Sequence, residues 1–124
     1  MSQLLVLTTA IENPDLETLK ECLAHLAEKL DMELTRTGIY WHLRAKRYDS
    51  AAQRTNDISI EVQRGRVKVI GDDWHQNTTL KDFEKMLVQE YTTQTTVNAL
   101  KEQGFQVYED KTKEGEVILE AELW

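Results

Sequence analysis

Few residues in this chain could do chemistry, since it holds one cysteine and three histidines among 124 residues. Cys22 and His25 lie three apart, a helical spacing that can turn two ligands toward one metal ion. A zinc-type site needs three or four ligands, and no second close pair of Cys or His follows. Cys22 also adjoins a stripe of leucines, so a packed thiol and a surface imidazole are expected, with no metal or other cofactor. Asp72, Asp73 and His75 form a denser group that could hold a divalent ion or move a proton. Carboxylates just ahead of a helix are already stabilised by its positive end, so helix-start solvation is the first expectation there. The serines Ser2, Ser50 and Ser59 sit in no strand-turn-helix nucleophile motif, and Ser59 is expected on a solvent-facing strand. Gly38, Gly65, Gly71, Gly104 and Gly115 are isolated and fit turns and caps, which argues against a phosphate cradle. With no catalytic constellation, the chain reads as non-enzymatic.

Two Trp-His dipeptides, Trp41-His42 and Trp74-His75, offer flat apolar faces with a donor, suited to a partner pocket or a stacked base. Most tryptophans are core, so burial is the first expectation for both and partner contact the second. Around the first dipeptide, Tyr40, Trp41, Arg44, Lys46, Arg47 and Tyr48 interleave aromatics with cations, the pattern of a phosphate or single-strand surface, although a solvated basic loop explains it too. Residues 36–68 hold eight cations against three carboxylates, a local +5, while the rest of a chain of net charge −7 carries −12. Polyanion affinity comes from neutralising phosphates, so an acidic chain makes a poor general nucleic-acid binder, with a local basic patch as the alternative. Trp41, His42, Arg44, Lys46, Arg47, Arg54 and Trp74 are therefore the candidates for partner or anion contact.

The elements that must position these residues follow from periodicity. Leu4 to Leu7 are apolar at four consecutive positions, so the strand over 3–9 is expected to be central with both faces covered. Asn13-Pro14 signals a helix start with Asn as N-cap, and Leu16, Leu19, Leu23, Leu26 and Leu30 place one face of that helix against a sheet as far as about Met32. Residues 33–43 predict one strand or two short pieces around Gly38, and 44–56 a loop. Ile58, Ile60 and Val62, then Val67 and Val69, alternate with polar residues across a turn at Arg64-Gly65, which predicts a hairpin. Leu80, Phe83, Leu87 and Tyr91 stripe a second helix over 79–103 closed by Gly104. Its threonine run, 92–96, lowers helix propensity, and Val97 and Leu100 lie on another side, so a distortion there and packing on the final hairpin or a second copy are expected. Strands over 105–111 and 116–123 finish the chain, with Val117, Leu119, Ala121 and Leu123 facing in. The expected class is α+β: a mostly antiparallel sheet with two helices packed on one face.

At 40% hydrophobic and 30% charged, with five Gly and one Pro, the composition is that of one globular domain over 1–124 rather than a disordered or fibrous chain. No apolar run approaches the ~20 residues that span a bilayer, and Leu4 to Leu7 lack a basic leader, so a cytoplasmic protein with no membrane partner is expected.

From Val69 onward the sequence resembles a family of small hypothetical proteins of cyanobacteria and some algal plastid genomes, classified as a domain of unknown function. The resemblance rests on Gly71-Asp72-Asp73-Trp74, Leu80 to Phe83, Gln89-Glu90-Tyr91, Glu102-Gln103-Gly104-Phe105-Gln106-Val107 and the terminal strand ending in Trp124. The N-terminal strand and leucine-striped helix are compatible with it; the hairpin over 57–70 is shorter than is typical of relatives, and Leu123 stands where they often carry Arg. The resemblance implies a cyanobacterial cytosol or plastid stroma, no established activity and no catalytic residue to carry over. Family genes near those of AAA-type ATPases or ferredoxins imply an adaptor role. The leading expectation is an interaction or adaptor domain that binds a protein partner or self-associates; the second is an anionic-ligand or nucleic-acid binder working through residues 36–68.

Overall fold

In the computed structural model, which describes residues 4–45, 57–72, 80–111 and 117–123, the chain runs β1 (Leu4–Glu12), α1 (Leu16–Lys29), β2 (Met32–Thr37), β3 (Tyr40–Ala45), β4 (Ile58–Gln63), β5 (Arg66–Asp72), α2 (Leu80–Glu102), β6 (Phe105–Lys111) and β7 (Val117–Leu123). Five strands form one antiparallel sheet in the order β1-β5-β4-β3-β2, and β6 and β7 pair as a separate two-stranded sheet. Two helices on a mostly antiparallel sheet are the α+β arrangement that the periodicity predicts. Both helices pack on the side where Met32, Trp41, Leu43, Ile58, Ile60, Val67 and Val69 are buried, and among the described residues neither helix covers the opposite side, the open face of the sheet.

The hairpins are set by their turns. Arg64 and Gly65 both have positive φ between the paired residues Gln63 and Arg66, the requirement of a type I′ two-residue loop. Gly38 takes positive φ at the first position of the loop between Thr37 and Tyr40, so the region 33–43 resolves into a tight β2–β3 hairpin. β3 runs on to Ala45, one residue beyond Arg44, where a loop is expected from sequence. Lys46, Arg47, Tyr48, Arg54, Asp73, Trp74 and His75 lie outside the described residues.

Three expectations are corrected. β1 is an edge strand, not a central one: among the described strands only β5 pairs with it, and its outward residues Leu4 and Val6 are exposed while Thr9 and Ile11 are buried. Its ladder shifts register between Thr8 and Glu12, and the Thr9 hydroxyl repairs the break by donating to the Val67 carbonyl (2.9 Å) and accepting from the Ile11 N–H (3.2 Å). The N-cap of α1 is Asp15 rather than Asn13, its carboxylate accepting from Glu17 N, because Asn13 is held in a left-handed conformation with its N–H donated to the Gly65 carbonyl at 2.7 Å. α1 ends at Lys29, since Met32 already pairs in β2, and Leu16 in the first turn is exposed while Leu19, Leu23 and Leu26 are buried.

α2 is helical without a break through the threonines; Thr95 and Thr96 hydroxyls donate back to the carbonyls of Tyr91 and Thr92 at 2.8–3.0 Å, satisfying themselves inside the helix. Its first half buries Leu80, Phe83 and Leu87 in the main core, and its later Val97 is also buried, with β6 and β7 as the packing neighbours of the helix beyond the main sheet. The final hairpin is thus a second neighbour of this helix within the chain. In the final hairpin Leu119 is half-buried but Ala121 is exposed, so the inward face expected there is incomplete.

Gly65 is the most constrained of these turns. A Cβ there would collide with the Asn13 carboxamide and would sit at φ +73°. Gly65→Ala is expected to lower stability by about 1–3 kcal/mol in urea unfolding. In an Asn13→Gly background the loss should shrink to the backbone part alone, and equal losses in both backgrounds would assign the whole cost to φ.

Candidate functional site

Because both helices cover one side, every residue available for chemistry on the sheet lies on its open face. The register builds that face in rows across the strands. One row runs Val6, Ile70, Ser59, His42, Thr35, and the next runs Thr8, Lys68, Glu61, Tyr40, Thr37. Leu4 and Val6, the latter beside half-buried Ile70, make an apolar corner at the β1 end. Toward the centre His42 Nδ1 lies 3.1 Å from Ser59 Oγ, and the Tyr40 and His42 rings stack with centroids 6.2 Å apart.

A hydroxyl bonded to an imidazole is the first half of a nucleophile and base arrangement. The second half is lacking among the described residues, where no carboxylate bonds His42, and the pair is part-buried on the sheet face away from the helices. The pair is suited to hydrogen bonding a docked surface, in which imidazole and hydroxyl both donate and accept. Sequence reasoning singled out His42 but not its partner Ser59. Only the β3–β4 register, which spans the long 46–56 connection, brings them together.

Trp41 faces the other way. It is 6% exposed, part of the core, with the Arg36 guanidinium 4.9 Å above its ring. Of its two alternatives the core one holds, and its indole is not available to a ligand. Arg36 is spent there and on the Gly38 carbonyl at 3.3 Å.

The basic segment also looks different once paired. Arg44 is opposite Glu33 in β2 and lies 3.9 Å from Asp57, Lys68 is opposite Glu61, and Arg66 is opposite Glu12. Opposite charges facing across strands stabilise the ladder by a few tenths of a kcal/mol and cancel the local field. Arg44 and Arg66 also sit at opposite ends of the strands, about 20 Å apart at ~3.3 Å per residue. The described cations therefore do not converge on one anion.

The remaining candidates separate. Asp72 ends β5 at the register position opposite Leu4. His25 is exposed and pairs with Glu90 on α2, while Cys22, three residues away, is buried, so the two do not converge. Among the described residues no group of three or more His, Cys, Asp or Glu is placed to hold a metal ion. None of the described helices is long and apolar enough to cross a membrane.

A family model described as "Protein of unknown function (DUF1257)" matches residues 28–119. The match reaches back through β2 to β4 and the basic segment, beyond the stretch from Val69 that carries the resemblance, and it stops short of Trp124. No curated protein and no solved structure matches the chain.

Burial pushes the Cys22 thiol up to about 12 from 9.0, with the carboxylates of Glu90 and then Glu21 adding to it. In the folded chain the thiol stays protonated and should not react with an aromatic disulfide reagent until urea unfolds it. An acid whose pKa is raised by folding favours the unfolded state once the unfolded thiol ionises. Stability is thus unaffected below about 9 and should fall as pH rises from 9.0 toward about 12, more steeply than in Cys22→Ala.

Proposed function

The chain belongs to the DUF1257 family of proteins of unknown function, and we propose that it is a non-enzymatic interaction domain that docks a protein partner on the open face of its sheet. The observation that carries this reading is the apolar corner of that face, where Leu4 is 75% and Val6 54% exposed. Covering such side chains is worth about 1–2 kcal/mol each, and single exposed residues acquire meaning when they adjoin on one rigid sheet. Two and three strands away on the same face, Ser59, Tyr40 and His42 supply the amphipathic and hydrogen-bonding groups that orient a partner. An AAA-type ATPase, the partner that the family resemblance implies, is the first to test.

The anionic-ligand reading is the weaker one. Each of Arg44, Lys68 and Arg66 has a carboxylate at the opposite register position, whose charge opposes the approach of a phosphate. That reading now rests on Lys46, Arg47 and Arg54, which lie outside the described residues.

A photo-crosslinking amino acid at Tyr40, compared with one at exposed Lys20 on α1, tests the proposal in cells that make the chain. Discrete protein adducts from position 40 and few from position 20 are expected. Equal labelling at both, or no protein adduct at position 40, overturns it; nucleic-acid adducts at position 40 would favour the anionic reading.

A further inference from the structure

We propose that β1 pairs edge to edge with β1 of a second copy of this chain, joining two five-stranded sheets into one of ten strands. β1 ends the strand order, and no described strand continues the sheet beyond it. An edge left unpaired in a stable monomer is normally blunted by charge or proline. β2, the other edge, carries Glu33 and Arg36, whereas β1 has no charged residue and no proline from Leu4 to Ile11. Both sides of the edge strand also retain apolar surface: Leu4 and Val6 are exposed outward, and Leu5 and Leu7 are only half-buried under the helices. The four consecutive apolar residues that predict a central strand would then occupy one, at the middle of the joined sheet.

The occupant is a second copy because the edge is complementary to itself. The register shift after Thr8 confines regular pairing to Leu4 through Thr8, whose midpoint is Val6. A two-fold axis there, perpendicular to the sheet, makes the strands antiparallel and sets Val6 against Val6, Leu5 against Leu7 and Leu4 against Thr8, apolar or neutral at every position. The same axis keeps all four helices on one side and makes the two open faces continuous. The contact is isologous and closes at two copies, whereas β1 on β2 would be head-to-tail and open-ended. Five paired residues a side make an interface smaller than the ~1,200–2,000 Å² of specific complexes, so a weak dimer, dissociating in about the micromolar range or above, is expected.

This inference deepens the interaction-domain reading by naming one partner, and it is tested at a different place. Sedimentation velocity of the purified full chain should show a mass rising with concentration from one chain to two and no further. Val6→Lys, at an exposed position, should weaken the dimer about tenfold or more with unchanged circular dichroism, and Val6→Thr should retain it. Under mild oxidation Val6→Cys should give a disulfide-linked dimer and Glu33→Cys on β2 should not. A single-chain mass at all concentrations, a dimer indifferent to Val6→Lys, or linkage through Glu33→Cys alone overturns the inference. A monomer that still gives protein adducts at position 40 would sink this proposal and leave the open-face reading standing; a β1-linked dimer without such adducts would do the reverse.

Discussion

Two helices can cover only one side of a five-stranded sheet, and the rest of this structure depends on how that side is closed. Leu19, Leu23 and Leu26 of α1 and Leu80, Phe83 and Leu87 of α2 are fully or almost fully buried against Leu43, Ile60, Val67 and Val69. Each such side chain contributes about 1.5–3 kcal/mol relative to exposure, which dwarfs any single polar contact in the molecule. The closure is tight enough that a Cβ at Gly71 would lie 3.0 Å from a Leu80 methyl, so the start of α2 rests on a residue without a side chain. Hydrogen bonding adds orientation rather than bulk stability: the Tyr91 hydroxyl accepts the Asp15 N–H at 2.9 Å and ties the start of α1 to α2.

One-sided closure decides where function can reside. Strand alternation sends Arg44, Lys68 and Arg66 to the open face, and antiparallel pairing sets carboxylates opposite them, while Arg36 lies over Trp41. Among the described residues, part of a segment that is +5 by count thus forms a face of cross-strand opposite charges with an apolar corner and a polar centre. Affinity on such a face comes from area and orientation, the currency of protein docking, more than from attraction to a polyanion. The helical side, by contrast, is occupied by packing, and its one cysteine is held as an inert, protonated thiol.

The final hairpin makes α2 a helix with two jobs. Its first half closes the main sheet and its later part has the separate β6–β7 sheet as neighbour. That division accounts for the change of apolar side near the threonines without any gap in the helix, because the threonine hydroxyls find acceptors in the preceding turn.

The sequence by itself determined every element whose signal is local. Arg64-Gly65 between two alternating runs sets a two-residue turn in which Gly65 takes positive φ without steric cost; Gly104 closes α2 by the same freedom, and the leucine and phenylalanine stripes put one face of each helix inward. Tertiary structure decided what depends on partners distant in the chain. Asn13 reads locally as an N-cap, yet the Gly65 carbonyl, fifty-two residues on, takes its N–H and moves the cap to Asp15. Trp41 and His42 are adjacent in sequence, but the pleat sends one into the core and the other to the open face, and only the β3–β4 register gives His42 its Ser59. Leu4 to Leu7 specify a strand, whereas its place at the edge comes from the order in which five strands pair, a choice made by long-range packing that no run of apolar residues encodes.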